Sequence, residues 1–424
     1  MARLHIVGAG LAGLAAALSA SRTVRWDGIR VYEATAQAGG RCRSFYDERL
    51  GRVIDNGNHL LLGANRAALA YLDAIGGRGA MRAVEPAAIP FLDLETGEQW
   101  TLRPNAGPLP WWLLSRSRGV AGAHPGAHLR LAGLAAARRS TTVAEALGHP
   151  RDALYRRLWD PLATAVLNTA PEAASARLFR RVLLALAAAG EAGLRPFIAG
   201  VGLSSALIDP ALQLLRSRRV DIGFGWRLRS LAVAEARVTA LDFSKACVPV
   251  GPRDGVILAV PPEAAATLVP GLRVPVEASP IVNLHFRLDD PVRLPGGYSF
   301  LGLVGGTAQW LFARGDLLSV TVSAARPLVD LDHATIAARI WADIARLATI
   351  GPRRALPPFR IIKERRATIA QTPSVVLQRP GPRTRFGNLV LAGDWLDTGL
   401  PATIEGAIRS GQTAARLAIP AATD

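Results

Sequence analysis

Three glycines near the start of the chain, Gly8, Gly10 and Gly13, stand at the spacing G-x-G-x-x-G between an apolar run (Leu4 to Val7) and an Ala/Leu-rich stretch. In a strand–turn–helix setting the first glycine permits a tight turn. The second lets backbone approach a pyrophosphate, and the third lets helix and strand pack closely. The helix N-terminus then offers free N–H groups and a partial positive charge to the phosphates. Glu33 closes the next apolar run, 20 residues after Gly13. An acid there accepts both ribose hydroxyls of an adenosine, which favours FAD or NAD over NADP.

"AGGRCRS" follows directly, with Gly39, Gly40 and Arg41. Paired glycines again allow close backbone approach, and Arg41 can neutralise a second phosphate, which points to a flavin dinucleotide. "VIDNGNHLLLGAN" then clusters Asp55, Asn56, Gly57, Asn58 and His59 between apolar segments. The cluster reads either as a polar turn capping a strand or as a loop reaching the reactive end of a cofactor. At the other end, "NLVLAGDWLDTGLPATIEGAIRSG" reads as a buried strand, a turn holding Gly393 and Asp394, and a helix opening around Pro401.

These groups need elements to hold them. The first 18 apolar residues have the length of a short membrane span or signal core, but their glycines favour strand, turn and helix. Residues 86–103 alternate like a hairpin with a Thr-Gly turn. Trp111, Trp112, Leu113 and Leu114, beside several arginines, suit either a membrane interface (109–120) or a core helix with a basic face. Helices are expected from Thr142, from Thr169 with Glu172 at capping-box spacing, and from Ser204 or Ser205 to Arg216. Asn168 falls at a helix-to-helix turn. The expected organisation is α/β: a discontinuous Rossmann-like FAD-binding domain (1–85, 205–262 and 355–424) with an inserted α+β substrate domain (86–204 and 263–354).

The 424 residues are half hydrophobic and one-fifth charged, ample for a packed core. The net charge of +17 comes almost wholly from arginine, since Lys245 and Lys363 are the only lysines. A basic surface favours anionic membranes or acidic partners, but no nucleic-acid module is present. Two cysteines and seven scattered histidines make neither a disulfide framework nor a metal site. A reducing cytoplasm fits them, with peripheral contact on the inner face of the cytoplasmic membrane if 109–120 docks there.

Taken together, the amino-terminal glycines, "AGGR", "VILAVPP" and "LAGDW…IEGAIRSG" resemble the FAD-dependent amine oxidase and phytoene desaturase superfamily. More narrowly, "DNGNHLLLGAN", "LNTAPEAAS", "KERRATIAQTP" and "AGDWLDTGLPATIEGAIRSG" resemble the squalene-associated FAD-dependent desaturases, understood as hydroxysqualene dehydroxylases of hopanoid biosynthesis. The likeness runs from residue 3 to about 417 and is weakest over 86–150. It implies FAD contacts at Gly8, Gly10, Gly13, Glu33, Gly39, Gly40 and Arg41. It also implies contacts at Gly57, Leu228 (adenine), Gly393, Asp394 (ribityl and phosphate region), and Thr403, Ile404, Gly406 and Ala407 at the isoalloxazine ring.

The implied reaction replaces the hydroxyl of a C30 allylic alcohol by hydride to give squalene. Hydroxide leaves poorly, so a proton donor is needed. His59, supported by Asn58 or Asp55, is the first candidate, because an imidazole titrates near neutrality; Asn168 and Glu405 follow. Rival readings are a carotenoid-type desaturase running hydride the other way, an amine oxidase, and a non-catalytic prenyl-binding protein. Nothing in the chain names the donor that would re-reduce the flavin.

Overall fold

The computed structural model describes residues 2–23, 25–107, 109–115, 117–148, 152–351 and 355–418. Met1, Val24 and 419–424 of the expected nucleotide-binding segments lie outside it, as do residues 108, 116 (within the expected membrane-contact segment), 149–151 and 352–354.

Five short strands form a parallel sheet in the spatial order Asp221–Phe224, Gly28–Glu33, Arg3–Val7, Gly255–Leu258, Leu389–Leu391. Leu4, Ile6, Val31, Val256, Ile257 and Leu258 are sealed from solvent, as parallel strands covered on both faces must be. The apolar start is therefore a central strand followed by the buried helix Leu11–Ala20, which is hydrophobic on every side because every side is covered. No helix among the described residues is long and apolar enough to cross a membrane.

What covers that first helix is the last one, Ile404–Leu417. A Cβ at Gly411 would lie 2.0 Å from the Ala12 carbonyl oxygen, so the two backbones touch where a side chain is missing. Ile404, Ile408, Ala414 and Ala415 form the buried stripe of the last helix and join the core of the first.

The second large sheet has seven strands, in the order Phe359–Ile369, Ala278–Arg287, Leu317–Val322, Trp310–Arg314, Phe300–Val304, Ile89–Asp93, Gln99–Leu102. Neighbours are antiparallel except Phe300–Val304 beside Ile89–Asp93. The helix His333–Ile344 packs Ile336, Ile340 and Ile344 onto one face. Opposite that face stand the helices Asp160–Leu167 and Ala176–Leu194, whose core includes Trp159, Leu167 and Phe179.

Several local expectations change. Phe359–Ile369, expected among the nucleotide-binding segments, is an edge strand of the seven-stranded sheet. Its alternation satisfies a cross-strand partner, Ala278–Arg287, rather than the parallel sheet. The helix expected from Thr169 begins at Ala176, capped by Ser175, whose hydroxyl accepts from the Leu178 amide. Thr169 instead accepts the Gln371 amide (3.0 Å). Ser204 and Ser205 are no caps either: Ser204 accepts from the Ser44 amide (2.7 Å), and Ser205 donates to the Gly202 carbonyl. The box at Thr142 and Glu145 is formed as expected.

Two tests follow from this packing. Gly411→Val should wedge the first and last helices apart and lower the stability to chemical denaturation by about 3 kcal/mol. The second concerns His285, which is wholly buried; its Nε2 donates to the Asp55 carbonyl (2.9 Å), so Nδ1 accepts from the Ser319 hydroxyl (2.7 Å). Burial, then the nearby Arg314 charge, push it down to about 4. The unfolded chain takes up that proton near pH 6.5 and the native chain only near 4, so stability is intact above 6.5 and falls as pH drops towards 4. The melting temperature should follow that fall, and His285→Gln, less stable at pH 7, should flatten it.

Candidate active site

The glycine turn behaves as its spacing demands. A Cβ at Gly8 would meet the Ala259 carbonyl oxygen at 2.3 Å, and one at Gly13 would meet the Gly8 carbonyl at 1.9 Å. At Gly10 it would meet nothing within 4 Å, so that glycine faces open space. The helix behind it has neither a side-chain cap nor an acid in its first turn. The amides of Leu11, Ala12 and Gly13 find no acceptor among the described residues. Such an end accepts an anion.

Glu33 braces the same turn: one carboxylate oxygen accepts the Ala9 amide (2.9 Å), the other the amide and hydroxyl of Thr35. Gly39 donates to the Ala9 carbonyl (2.9 Å), and both Gly39 and Gly40 adopt positive φ, a conformation that favours glycine. A Cβ at Gly40 would stand 3.5 Å from Gly10 Cα, so the two glycine turns form one cradle. Leu228 opens an antiparallel strand two residues beyond Trp226, whose amide donates to the Glu33 carbonyl (2.8 Å).

The carboxyl-terminal turn arrives on the other side. Arg41 donates to Asp394 (2.7 Å) and to the Ala367 carbonyl, so the expected phosphate partner is tied to the carboxyl-terminal loop. Gly393 donates to the Ser410 hydroxyl (3.0 Å). Thr403 caps the last helix by accepting from the Gly406 amide, and the Ala407 amide is bonded to the Thr403 carbonyl. Among the described residues the amides of Ile404 and Glu405 have no acceptor at that end, while those of Gly406 and Ala407, also expected at the ring, are engaged within the helix start.

Sequence reasoning missed what holds this loop. Arg379 is buried, and its guanidinium donates to the carbonyls of Asp394 (2.8 Å), Trp395, Leu396 and Leu400 (2.7 Å). Among the described residues it has no carboxylate in direct contact; burial lowers its pKa, and Asp394 and Asp397 oppose that from a distance. The "RP" after "QTPSVVLQ" carries no spacing signal for such a clamp, because its acceptors are main-chain atoms.

Between the seven-stranded sheet and the helices lies a predominantly apolar cavity of about 470 Å³. Trp112, Trp159, Trp310, Phe91, Phe300 and Phe312 are among its walls. His59, Asn58, Asn168 and Glu405 all line it, together with Thr403 and Ile404.

The four differ in what they have free. Asn168, in the left-handed conformation (φ 46°), donates to the Ser279 carbonyl and Thr368 hydroxyl and accepts from the Ala324 amide. Its side chain is fully engaged as a tie between elements, so it has no proton to offer. Each oxygen of Glu405 accepts a backbone amide, from Ala67 (3.1 Å) and Ala68 (2.9 Å), capping the helix Arg66–Ile75. Asn58 donates to Thr321 (3.2 Å), which donates to Asn283, which donates to the Asn56 carbonyl beside Gly57. A Cβ on Gly57 would touch Asn283 (3.2 Å).

His59 makes no hydrogen bond among the described residues. Asp55 does not support it: its carboxylate accepts from Ser44, the Leu203 amide and Arg314. Enclosure by protein pushes His59 down to about 4, Asp55 acting against that and Arg41 with it. The expected titration near neutrality is thereby corrected, and the ring is neutral at pH 7.

A family profile described as "Flavin containing amine oxidoreductase" matches residues 11–419. The chain is 44% identical over 419 residues to a hydroxysqualene dehydroxylase of Rhodopseudomonas palustris, covering 99% of this chain and 98% of that one. It is 39% identical to the hydroxysqualene dehydroxylase of Zymomonas mobilis, with 99% of each covered. Among solved structures, an oxidoreductase from Methanosarcina mazei superposes with a TM-score of 0.72 at 14% identity, covering 98% of this chain and 100% of that one. Cyclohexylamine oxidase from Brevibacterium oxydans gives 0.67 at 16%, with 98% of each covered. At those identities the likeness is one of fold.

Arg379→Gln should free the carbonyls of 394–400 and open that loop to limited proteolysis, with a melting temperature lower by several degrees. Arg379→Lys should restore little of either, since a single ammonium cannot reach four carbonyls.

Proposed function

The chain belongs to the flavin-containing amine oxidoreductases and, within them, to the hydroxysqualene dehydroxylases, and from that membership we propose that it binds FAD and reduces a C30 allylic alcohol to squalene. One observation carries the reading. The last helix packs on the helix that opens at the glycine cradle, while its own first residues line the apolar cavity. A dinucleotide seated in the cradle therefore has its far end at the cavity.

The residues fit such a group. Gly8, Gly10 and Gly13, with the open amides of Leu11 and Ala12, would hold the pyrophosphate, and Glu33 the adenosine ribose. Gly39, Gly40 and Arg41 would cover it from the facing turn, with Leu228 beside the adenine. Gly393 and Asp394 would meet the ribityl chain, and Gly57 and the end of the last helix, Thr403 and Ile404, the ring. The FAD-binding unit would be the parallel sheet with its helices. The substrate unit would take in the seven-stranded sheet, with a boundary near Ala370 rather than 355.

FAD, when reduced, supplies the hydride. The chain's own part is to exclude water, orient the alcohol and hold a proton for the departing hydroxyl, so that hydride plus proton remove it as water. The aromatic walls do the first. His59, neutral and without a hydrogen-bond partner among the described residues, would donate its N–H to the hydroxyl and take up a proton from solvent at its other ring nitrogen, a relay that leaves the imidazole neutral as water departs. Asn58 keeps that corner in place through Thr321 and Asn283. Glu405 and Asn168 are positioning residues.

One short segment joins the cavity to the outside. Pro110, Trp112 and Leu113 line the cavity, while Leu109, Trp111 and Leu114 are 60%, 63% and 54% exposed. Apolar side chains on that lip suit insertion into a bilayer from which a lipid substrate arrives.

Photoreduced protein mixed anaerobically with hydroxysqualene should reoxidise its flavin and yield squalene; reoxidation without squalene would contradict the reading. His59→Ala should slow turnover by about 10²-fold or more at unchanged flavin content, with His59→Gln recovering part of the loss. Trp111→Glu with Leu114→Glu should abolish co-sedimentation with anionic liposomes while leaving turnover of detergent-dispersed substrate intact.

A further inference from the structure

A second hollow, of about 530 Å³, opens beside the apolar cavity. It lies between the start of the helix Arg66–Ile75, one side of the helix Ala176–Leu194 and the outer half of the last helix. Its lining is of the opposite kind: Arg66, Arg409 and Arg416, with Gln412 and Thr413. Arg409, Gln412, Thr413 and Arg416 fall at i, i+3, i+4 and i+7, on one helix face. Arg416 donates to the Thr413 hydroxyl (2.9 Å) on the same helix face.

Among the described residues none of these three arginines has an ion-pair partner, whereas Arg41, Arg157 and Arg314 each have one. The one acid on the wall, Glu405, is occupied by the Ala67 and Ala68 amides, and the helix end behind them offsets its charge. The hollow is left with a surplus of forked cationic donors, the geometry that matches phosphate.

Its inner wall is the cavity's outer wall: Ala64, Ala185, Glu405 and Arg409 line both. Two of the four carry only methyl groups, so little bulk separates the spaces. We propose that the hollow binds the phosphate head of an amphiphile whose hydrocarbon chain crosses Ala64 and Ala185 into the apolar cavity. This is a second, charged mouth, separate from the Trp111 lip, and it rests on the reading of the cavity as an isoprenoid site. The head comes either from a membrane phospholipid or from a prenyl diphosphate. Such a ligand fills the cavity with its hydrocarbon chain and competes with the alcohol.

The test uses the full-length flavin-loaded protein and the fluorescence of Trp112, Trp159 and Trp310. Farnesyl diphosphate should bind at least tenfold more tightly than farnesol. That gap should close in the double variant Arg66→Gln/Arg416→Gln, at unchanged affinity for farnesol, and persist in part in Arg66→Lys/Arg416→Lys. Equal affinity in the wild type, or a gap that survives the glutamines, overturns the proposal. If farnesol binds neither protein while farnesyl diphosphate keeps its arginine dependence, the isoprenoid reading of the cavity falls and the anion site stands. Displacement of farnesyl diphosphate by phosphatidylglycerol vesicles, and not by phosphatidylcholine vesicles, assigns the head to a membrane lipid. Absence of displacement by either assigns it to a prenyl diphosphate.

Discussion

The rest of the molecule is arranged around one close contact, that of the last helix with the first. A glycine at 411 lets the backbone of Ile404–Leu417 lie against the Ala12 carbonyl. Nothing larger fits, and the helices' mutual burial supplies each with the apolar cover it lacks in its own neighbourhood. Once the ends are joined, everything between them has to leave the parallel sheet and come back. The strand Leu389–Leu391 returns to the edge of that sheet, and the turn after it delivers Asp394 to Arg41. The cavity is the space enclosed by that excursion.

Beneath the cavity sits a layer of buried polar side chains that are almost fully bonded. Asp55 gathers Ser44, the Leu203 amide and Arg314; His285 joins the Asp55 carbonyl to Ser319; Asn168 and Arg379 bind main chain from distant elements. A buried polar group without a partner costs on the order of 1–3 kcal/mol, so such groups tolerate few alternative arrangements. They hold the walls in register, and among the described residues His59 keeps its hydrogen-bonding capacity free towards the cavity.

Much of this was legible in the chain, and the reason is locality. The glycine spacing, Glu33, the paired glycines at 39 and 40, and the Thr142 box involve residues close in sequence, where type and spacing suffice. The seven-stranded sheet was legible only as separate strands. The placement of Phe359–Ile369 depends on a partner some 80 residues earlier in the chain, and alternation does not name partners. Helix starts failed where a tertiary bond outbid a cap: Thr169 had the right neighbours, but Gln371 claimed its hydroxyl. His59 was found by motif, yet its neutrality comes from enclosure, which no local pattern reports. Arg379 and the three arginines of the second hollow were invisible because the chain is arginine-rich throughout, and only packing separates those with partners from those without.

The joining of the two ends also has a consequence in time. During synthesis the glycine cradle emerges about 380 residues before the turn at Asp394, and folding proceeds from the amino terminus. The helix that completes the pocket emerges later still. Throughout that interval a nascent chain carries one half of the proposed flavin site and an apolar trough that lacks the wall made by Ile404–Leu417. Cofactor capture then waits for Ile404–Leu417, and a message cut short before that helix yields a chain that cannot complete the site.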